Sequence, residues 1–278
     1  MIVLKFGGSS VASAARIEGI GKIIESVFPR DKKLIVVFSA FGGVTDDLIK
    51  MSRMAAAQDK NYIQLFQKIK ERHLQTTAEL GLKKDKELTH FIENTFAELH
   101  DILHGVYLVR ELSARMLDFV SGHGEIFSAK IIAHYFNSKK LKSTFLDARK
   151  LIITNENFGS AKVDFTKTNK NIRTYFTSSK NIEVVTGFVG STTNNETTTL
   201  GRGGSDYTAA IFGAALAANE IQIWTDVDGV MTADPRKVRK AFSVPSMTYE
   251  EAMEMSHFAW VGCHHTIHIS PNLNFVCC

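Results

Sequence analysis

Cysteine is scarce in this 278-residue chain: the three present, Cys263, Cys277 and Cys278, all fall in the last sixteen positions. No disulfide framework can therefore staple the body of the fold. Long apolar runs are missing too. No stretch of about 18 apolar residues occurs, and the first thirty residues carry no charged-then-apolar leader, so the expectation is a cytoplasmic protein with no membrane partner. Neither sign of charge dominates, since 33 Lys and Arg stand against 29 Asp and Glu for a formal net charge of +4. Lys83-Lys84 and Lys139-Lys140 read as solvated faces, not as the dense basic stripe with interleaved aromatics that would bind nucleic acid. The Walker string G-x-x-x-x-G-K-[ST] does not occur, which excludes an ordinary P-loop. His264 and His268 have the i, i+4 spacing that could face one metal beside Cys263. A single local cluster without a second ligand pair makes no zinc site, and no metal ligands are assigned.

What is present is ordinary globular material, 44% hydrophobic and 22% charged, enough for one large or two small domains. Short apolar strings at 2–6, 34–39, 141–146, 182–188 and 221–224 read as buried strands. Helical spacing fills the gaps: Ile17, Ile20, Ile23 and Ile24 mark a helix over 14–27. The segment 59–104 is helical without a strand signal, and 109–136 reads as one or two further helices. Strands alternating with helices predict a mostly parallel sheet covered on both faces, an α/β/α sandwich. The segment 59–104 is expected to be an excursion from the sheet that covers the substrate pocket. The polar run 192–199 is expected to hold a hairpin or loop tip at Asn194-Asn195-Glu196.

The most informative string is Lys5-Phe6-Gly7-Gly8-Ser9-Ser10, placed where the first strand would turn into the first helix. Glycines let backbone N–H groups approach anionic oxygens, the helix start adds its positive end, and the lysine adds a full charge. Alone, such a turn is weak evidence of a phosphate site. It has company, however, in Ser39-Ala40-Phe41-Gly42-Gly43-Val44-Thr45, Ser121-Gly122-His123-Gly124-Glu125, Leu200-Gly201-Arg202-Gly203-Gly204-Ser205-Asp206 and Trp224-Thr225-Asp226-Val227-Asp228-Gly229, with Asp234-Pro235-Arg236 beyond. Four of the five strings follow apolar runs, so they can converge on one crevice beyond the carboxyl ends of a parallel sheet.

In this order and spacing the strings resemble the amino acid kinase family, and within it the aspartate kinases, from about Met1 to His257. The resemblance implies the three-layer α/β/α fold of that family and transfer of a phosphoryl group from ATP, with Mg2+, to the side-chain carboxylate of L-aspartate. It implies Lys5 on the transferring phosphoryl group, with Gly7, Gly8 and Ser9 alongside and Asp206 positioning Lys5. Ser39 and Thr45 would contact substrate, Glu125 the α-ammonium, Arg202 the α-carboxylate, and Ser205 would complete the substrate site. Thr225, Asp226, Met231 and Arg236 would form the nucleotide side, with Met231 where many members carry tyrosine. His123 is expected to be pocket wall, and a homo-oligomer is compatible with the resemblance. No Ser-His-Asp or Cys-His arrangement is needed, because a carboxylate acceptor of pKa about 3.9 is already ionised at neutral pH. The task is to hold two anions in line and offset their repulsion.

The likeness is expected to fail after Phe258. There Ala259-Trp260-Val261-Gly262-Cys263-His264-His265 replaces the lysine-bearing continuation usual in the family. Residues 1–258 are thus expected to form the catalytic domain and 259–278 a divergent or truncated tail, with the family's final strand and ACT regulatory domains absent. Two other readings stay open: a different amino acid kinase, acting on glutamate, acetylglutamate or carbamate, and a catalytically impaired fragment.

Overall fold

A computed structural model describes residues 1–27, 33–225, 229, 231–233, 237–244, 246–248, 251 and 274–277. The five apolar strings form β1 (Ile2–Phe6), β2 (Leu34–Phe38), β3 (Ser143–Leu146), β4 (Ile182–Thr186) and β7 (Glu220–Trp224). A further strand, β8 (Asn274–Cys277), completes a sheet in the order β3-β4-β2-β1-β7-β8, with every paired neighbour parallel. A strand thus forms within the tail expected to be divergent, pairing with β7 along Glu220–Ile223.

Helix α1 (Ala14–Val27) matches its predicted bounds, and α2 (Val44–Ala56) follows β2. The excursion is two helices, α3 (Tyr62–Glu79) and α4 (Lys86–Val109), separated by a turn with Gly81 at φ 78°. One helix, α5 (Ala114–Ser138), takes up most of 109–136, and α6 (Phe165–Phe176) and α7 (Gly204–Ala215) complete the set. None of the described helices is long and apolar enough to cross a membrane.

Side-chain alternation along β1 assigns the two layers. Ile2, Leu4 and Phe6 enter a core with Ile17 and Ile20 of α1, Leu48 of α2, Ile69 of α3, Phe96 of α4 and Phe127 of α5. Val3 enters the opposite core with Ile172 of α6 and Phe212 of α7. Because alternate residues of a strand share a face, Lys5 lies on the side of Val3 and α7.

Between β4 and α7 runs a small antiparallel pair, β5 (Val189–Ser191) with β6 (Thr197–Thr199), whose tip has Asn195 at φ 62°. The tip falls where the sequence placed it. The threonines beyond it are buried, not solvated: Thr198 Oγ1 bonds Thr154 Oγ1 at 2.7 Å and Thr197 Oγ1 accepts from Arg149 at 2.9 Å. Polar side chains enter an interior when each finds a partner, which composition alone does not reveal.

Candidate active site

The carboxyl ends of β1, β2 and β4 open on a cavity of about 460 Å³. Its walls include Lys5 and Gly8 from the first string, the residues from Ser39 to Gly43 with Thr45 from the second, Ser121 and Glu125 from the third, and Gly201 to Asp206 from the fourth. Lys5, only 7% exposed, pairs with Asp206 at 2.6 Å. This follows from strand parity, since Lys5 faces α7 and Asp206 stands in the first turn of α7. The loops after β1 and β2 touch through their backbones: a Cβ on Gly8 would lie 3.1 Å from the Ala40 carbonyl, and one on Gly42 would lie 3.1 Å from that of Gly8. Both positions need glycine for that approach.

Two helices begin at the cavity. Gly43 (φ 82°) precedes α2 and Gly203 (φ 72°) precedes α7, both left-handed and neither offering a side-chain cap. The first N–H of each helix donates to the Phe41 or Gly201 carbonyl, and the first-turn N–H groups with the positive end of each helix make such starts receptive to anions. Thr45 lies in the first turn of α2 and Ser205 in that of α7. Ser205 is buried against Gly187, where an added Cβ would come within 2.6 Å of Ser205 Cβ. Ser39 accepts at its carbonyl from Ser128 Oγ at 2.7 Å, and Arg202 presents an exposed guanidinium at the cavity wall.

The third string is not a loop after a strand but the middle of α5. Leu117, Ser121 and Glu125, spaced four apart, line the cavity as one stripe. The helix can pass this close because Gly122 and Gly124 lack side chains: a Cβ would meet Val189 Cγ1 at 2.8 Å and Ala40 Cβ at 2.7 Å. Glu125 is thereby 3% exposed, and its Oε2 has no partner among the described residues. Burial pushes its carboxyl up to about 8, against the lowering effect of the Ala40 N–H bond. His123 is corrected from pocket wall to interior. It is absent from the described cavity lining, its Nδ1 bonds the Phe119 carbonyl at 2.7 Å, and burial pushes it down to about 4.

The profile of the amino acid kinase family matches residues 1–267, nearly the whole chain. The chain belongs to the amino acid kinase family. That match runs past Phe258, where the sequence reading ends the likeness. Among similar proteins, bifunctional aspartokinase/homoserine dehydrogenase 2 of Arabidopsis thaliana is 36% identical, over 92% of this chain and 28% of its own length. Aspartokinase 3 of the same plant is 38% identical, over 92% of this chain and 46% of its own length. The chain thus spans about a quarter to a half of these relatives. E. coli aspartokinase III in complex with aspartate and ADP superposes with a TM-score of 0.86 at 26% identity, covering 100% of this chain and 62% of that one.

Not all predicted site residues meet in the cavity of this family member. Gly7, Ser9, Thr225 and Met231 are absent from its described lining. Gly7 stays close, as a Cβ there would be 3.5 Å from Lys5 Nζ, and the Ser9 carbonyl accepts from Arg16 at 2.7 Å. Thr225 follows β7, and Met231 forms an isolated bridge with Ser243. Asp226 and Arg236 lie outside the described residues, as does the Cys263, His264 and His268 cluster.

Sequence reasoning missed Asp118. It is 3% exposed on the cavity wall and accepts from the Gly159 N–H at 2.8 Å and the Thr199 N–H and Oγ1 at 2.9 Å each. Burial raises its carboxyl despite those three bonds. It ties α5 to the strand that leads into Gly201 and Arg202. Its spacing of seven before Glu125, two helical turns on the same face, was the available signal. The excursion also departs from expectation, since no described residue of 59–104 lines the cavity. It packs behind the wall, where His73 of α3 stacks on Phe41 at 5.0 Å between centroids.

Proposed function

We propose that the chain is the catalytic unit of an aspartate kinase. An oxygen of the L-aspartate side-chain carboxylate attacks the γ-phosphorus of ATP, the bond from that phosphorus to the β,γ-bridging oxygen breaks, and ADP and 4-phospho-L-aspartate result. The observation that carries the reading is the presence, in one cavity, of the buried carboxyl of Glu125, whose Oε2 has no partner among the described residues, and the exposed guanidinium of Arg202. An α-amino acid supplies the complements of both, an ammonium and a carboxylate. Burial raises the Glu125 carboxyl to about 8, and it releases its proton to solvent and becomes an ion-pairing acceptor as the ammonium arrives. Lys5, held by Asp206, and the starts of α2 and α7 then offset the repulsion between acceptor carboxylate and phosphoryl oxygens, of roughly 4 kcal/mol per charge pair at 4 Å and an effective dielectric of 20.

Magnesium belongs to the same proposal, because it neutralises nucleotide phosphates in such transfers. Magnesium is usually held by substrate phosphates with one or two carboxylates, and Asp206, which lines the cavity beside Lys5, would supply one. The reaction would open routes to lysine, threonine and methionine, and we place it in the cytoplasm; the plant relatives are themselves named chloroplastic. Trapping the acyl phosphate with hydroxylamine tests the substrate. Aspartate should react, and glutamate, one methylene longer, should have a kcat/KM lower by about 10- to 200-fold. Equal turnover of glutamate or acetylglutamate would refute the assignment.

A further inference from the structure

We infer that Arg72, on the excursion helix α3, is a positioning residue that sets the spacing between the phosphoryl-donor loop and the acceptor loop. Its guanidinium donates from Nη1 to the Gly42 carbonyl at 2.7 Å and from Nη2 to the Ala12 carbonyl at 3.1 Å. Ala12 belongs to the loop that carries Gly7, Gly8 and Ser9. Gly42 belongs to the loop that carries Ser39 and leads into Thr45 at the start of α2. One planar fork thus holds the two segments on which donor and acceptor must sit, from a residue absent from the cavity lining.

Two further observations show that the grip reaches the site. The loops are already in backbone contact through Gly8, Ala40 and Gly42, so moving one carbonyl moves both segments. Peptide planarity also means that drawing the Gly42 carbonyl to Arg72 turns the Gly43 N–H the opposite way, and Gly43 lines the cavity at the start of α2. The neighbouring His73 reinforces the grip. Its Nδ1 donates to the Ile69 carbonyl at 2.7 Å while its ring lies on Phe41, and burial pushes it down to about 4, so it packs as a neutral ring. The excursion has no place in the cavity wall because its work is to fix that wall from behind.

What the loops hold rests on the aspartate kinase reading; the clamp does not. Misplacement of reacting groups by about 1 Å costs on the order of 100-fold in rate. Arg72→Ala should therefore lower kcat by about 10- to 100-fold, with the aspartate and ATP KM values changed less than about threefold, because each half-site survives and only their spacing is lost. Added methylguanidinium should recover part of that kcat, which a merely structural loss would not allow. In the unliganded protein, amide exchange should quicken in both 7–13 and 39–44. Arg72→Lys, a point charge without the fork, serves if the alanine variant fails to fold, and should fall between it and wild type. Unchanged exchange in either loop, unchanged kcat, or a loss wholly in KM would overturn the inference. If wild type makes no acyl phosphate from aspartate, the substrate reading fails while the exchange data still decide the clamp.

Discussion

Six of the seven described α-helix starts fall into two kinds. Ser13 accepts from the Arg16 N–H before α1, Asp85 from Leu88 before α4, Ser113 from Met116 before α5 and Asp164 from Lys167 before α6. None of these four caps is in the described cavity lining. The starts of α2 and α7 have left-handed glycines and no side-chain acceptor, and both border the cavity. Helix α3, uncapped at Asn61 and outside the cavity, shows that a missing cap alone is no sign of a site. The combination of left-handed glycine, missing cap and cavity is what distinguishes the two. A side-chain cap stabilises a helix by about 1 kcal/mol. Its omission here leaves the first turn of each helix without a side-chain acceptor at the cavity, the first N–H of each being held by the Phe41 or Gly201 carbonyl.

The contrast is broken most severely by removing the cation that works beside those starts. Lys5→Ala should lower kcat by about 100- to 1000-fold with a much smaller change in aspartate KM, as for other donors acting on charge that develops in the transition state. Steady-state assay of trapped acyl phosphate separates the two parameters, and a loss confined to KM would remove Lys5 from the transferring group.

Next comes Glu125→Gln, which should raise the aspartate KM by about 10- to 150-fold through loss of a contact of about 1.5–3 kcal/mol. Its pH signature has a definite sign. The folded carboxyl is raised to about 8 from an ordinary 4.5, so its contribution to stability is whole below pH 4.5 and is lost as pH rises toward 8. Wild type should lose stability relative to Glu125→Gln across that window, at up to about 1.4 kcal/mol per pH unit, and denaturant titrations at pH 5 and 8 check it. A constant difference would mean that Glu125 is ionised in the empty site.

A smaller effect sharpens the comparison itself. Asparagine tolerates left-handed backbone, and a Cβ at Gly203 meets nothing within 4 Å. Gly203→Asn should thus fold normally while its side chain caps α7, weakening ligand binding by about tenfold. Ser113→Ala should do the reverse, costing about 1 kcal/mol of stability with unchanged activity. If both variants changed stability alone, the uncapped starts would have no part in binding.

Much of the site was legible because its signals are local. The apolar strings gave the strands to within a few residues, whereas the face of the sheet on which Lys5 lies came only with the two packed layers. Glycine pairs after strands marked the loops. The buried threonines of β6 were not legible, because a run of threonines reads as a polar loop until Thr154, Arg149 and Asp118 are seen to satisfy their hydroxyls. Nor was the setting of Glu125, whose depth depends on α5 passing within contact of Ala40 and Val189.

By itself, then, the sequence determined the alternation of strands and helices, the residue types that chemistry requires, and the turns where backbone can meet an anion. These depend on spacing along the chain and on the steric freedom of single residues. Only the tertiary structure decided that Asp118 holds Thr199, that Glu125 is buried at the cavity with its Oε2 unpartnered among the described residues, and that Arg72 joins Ala12 to Gly42. Those facts depend on distances between residues 30 to 81 positions apart, which no local pattern encodes and which the close packing of helices against the sheet fixes.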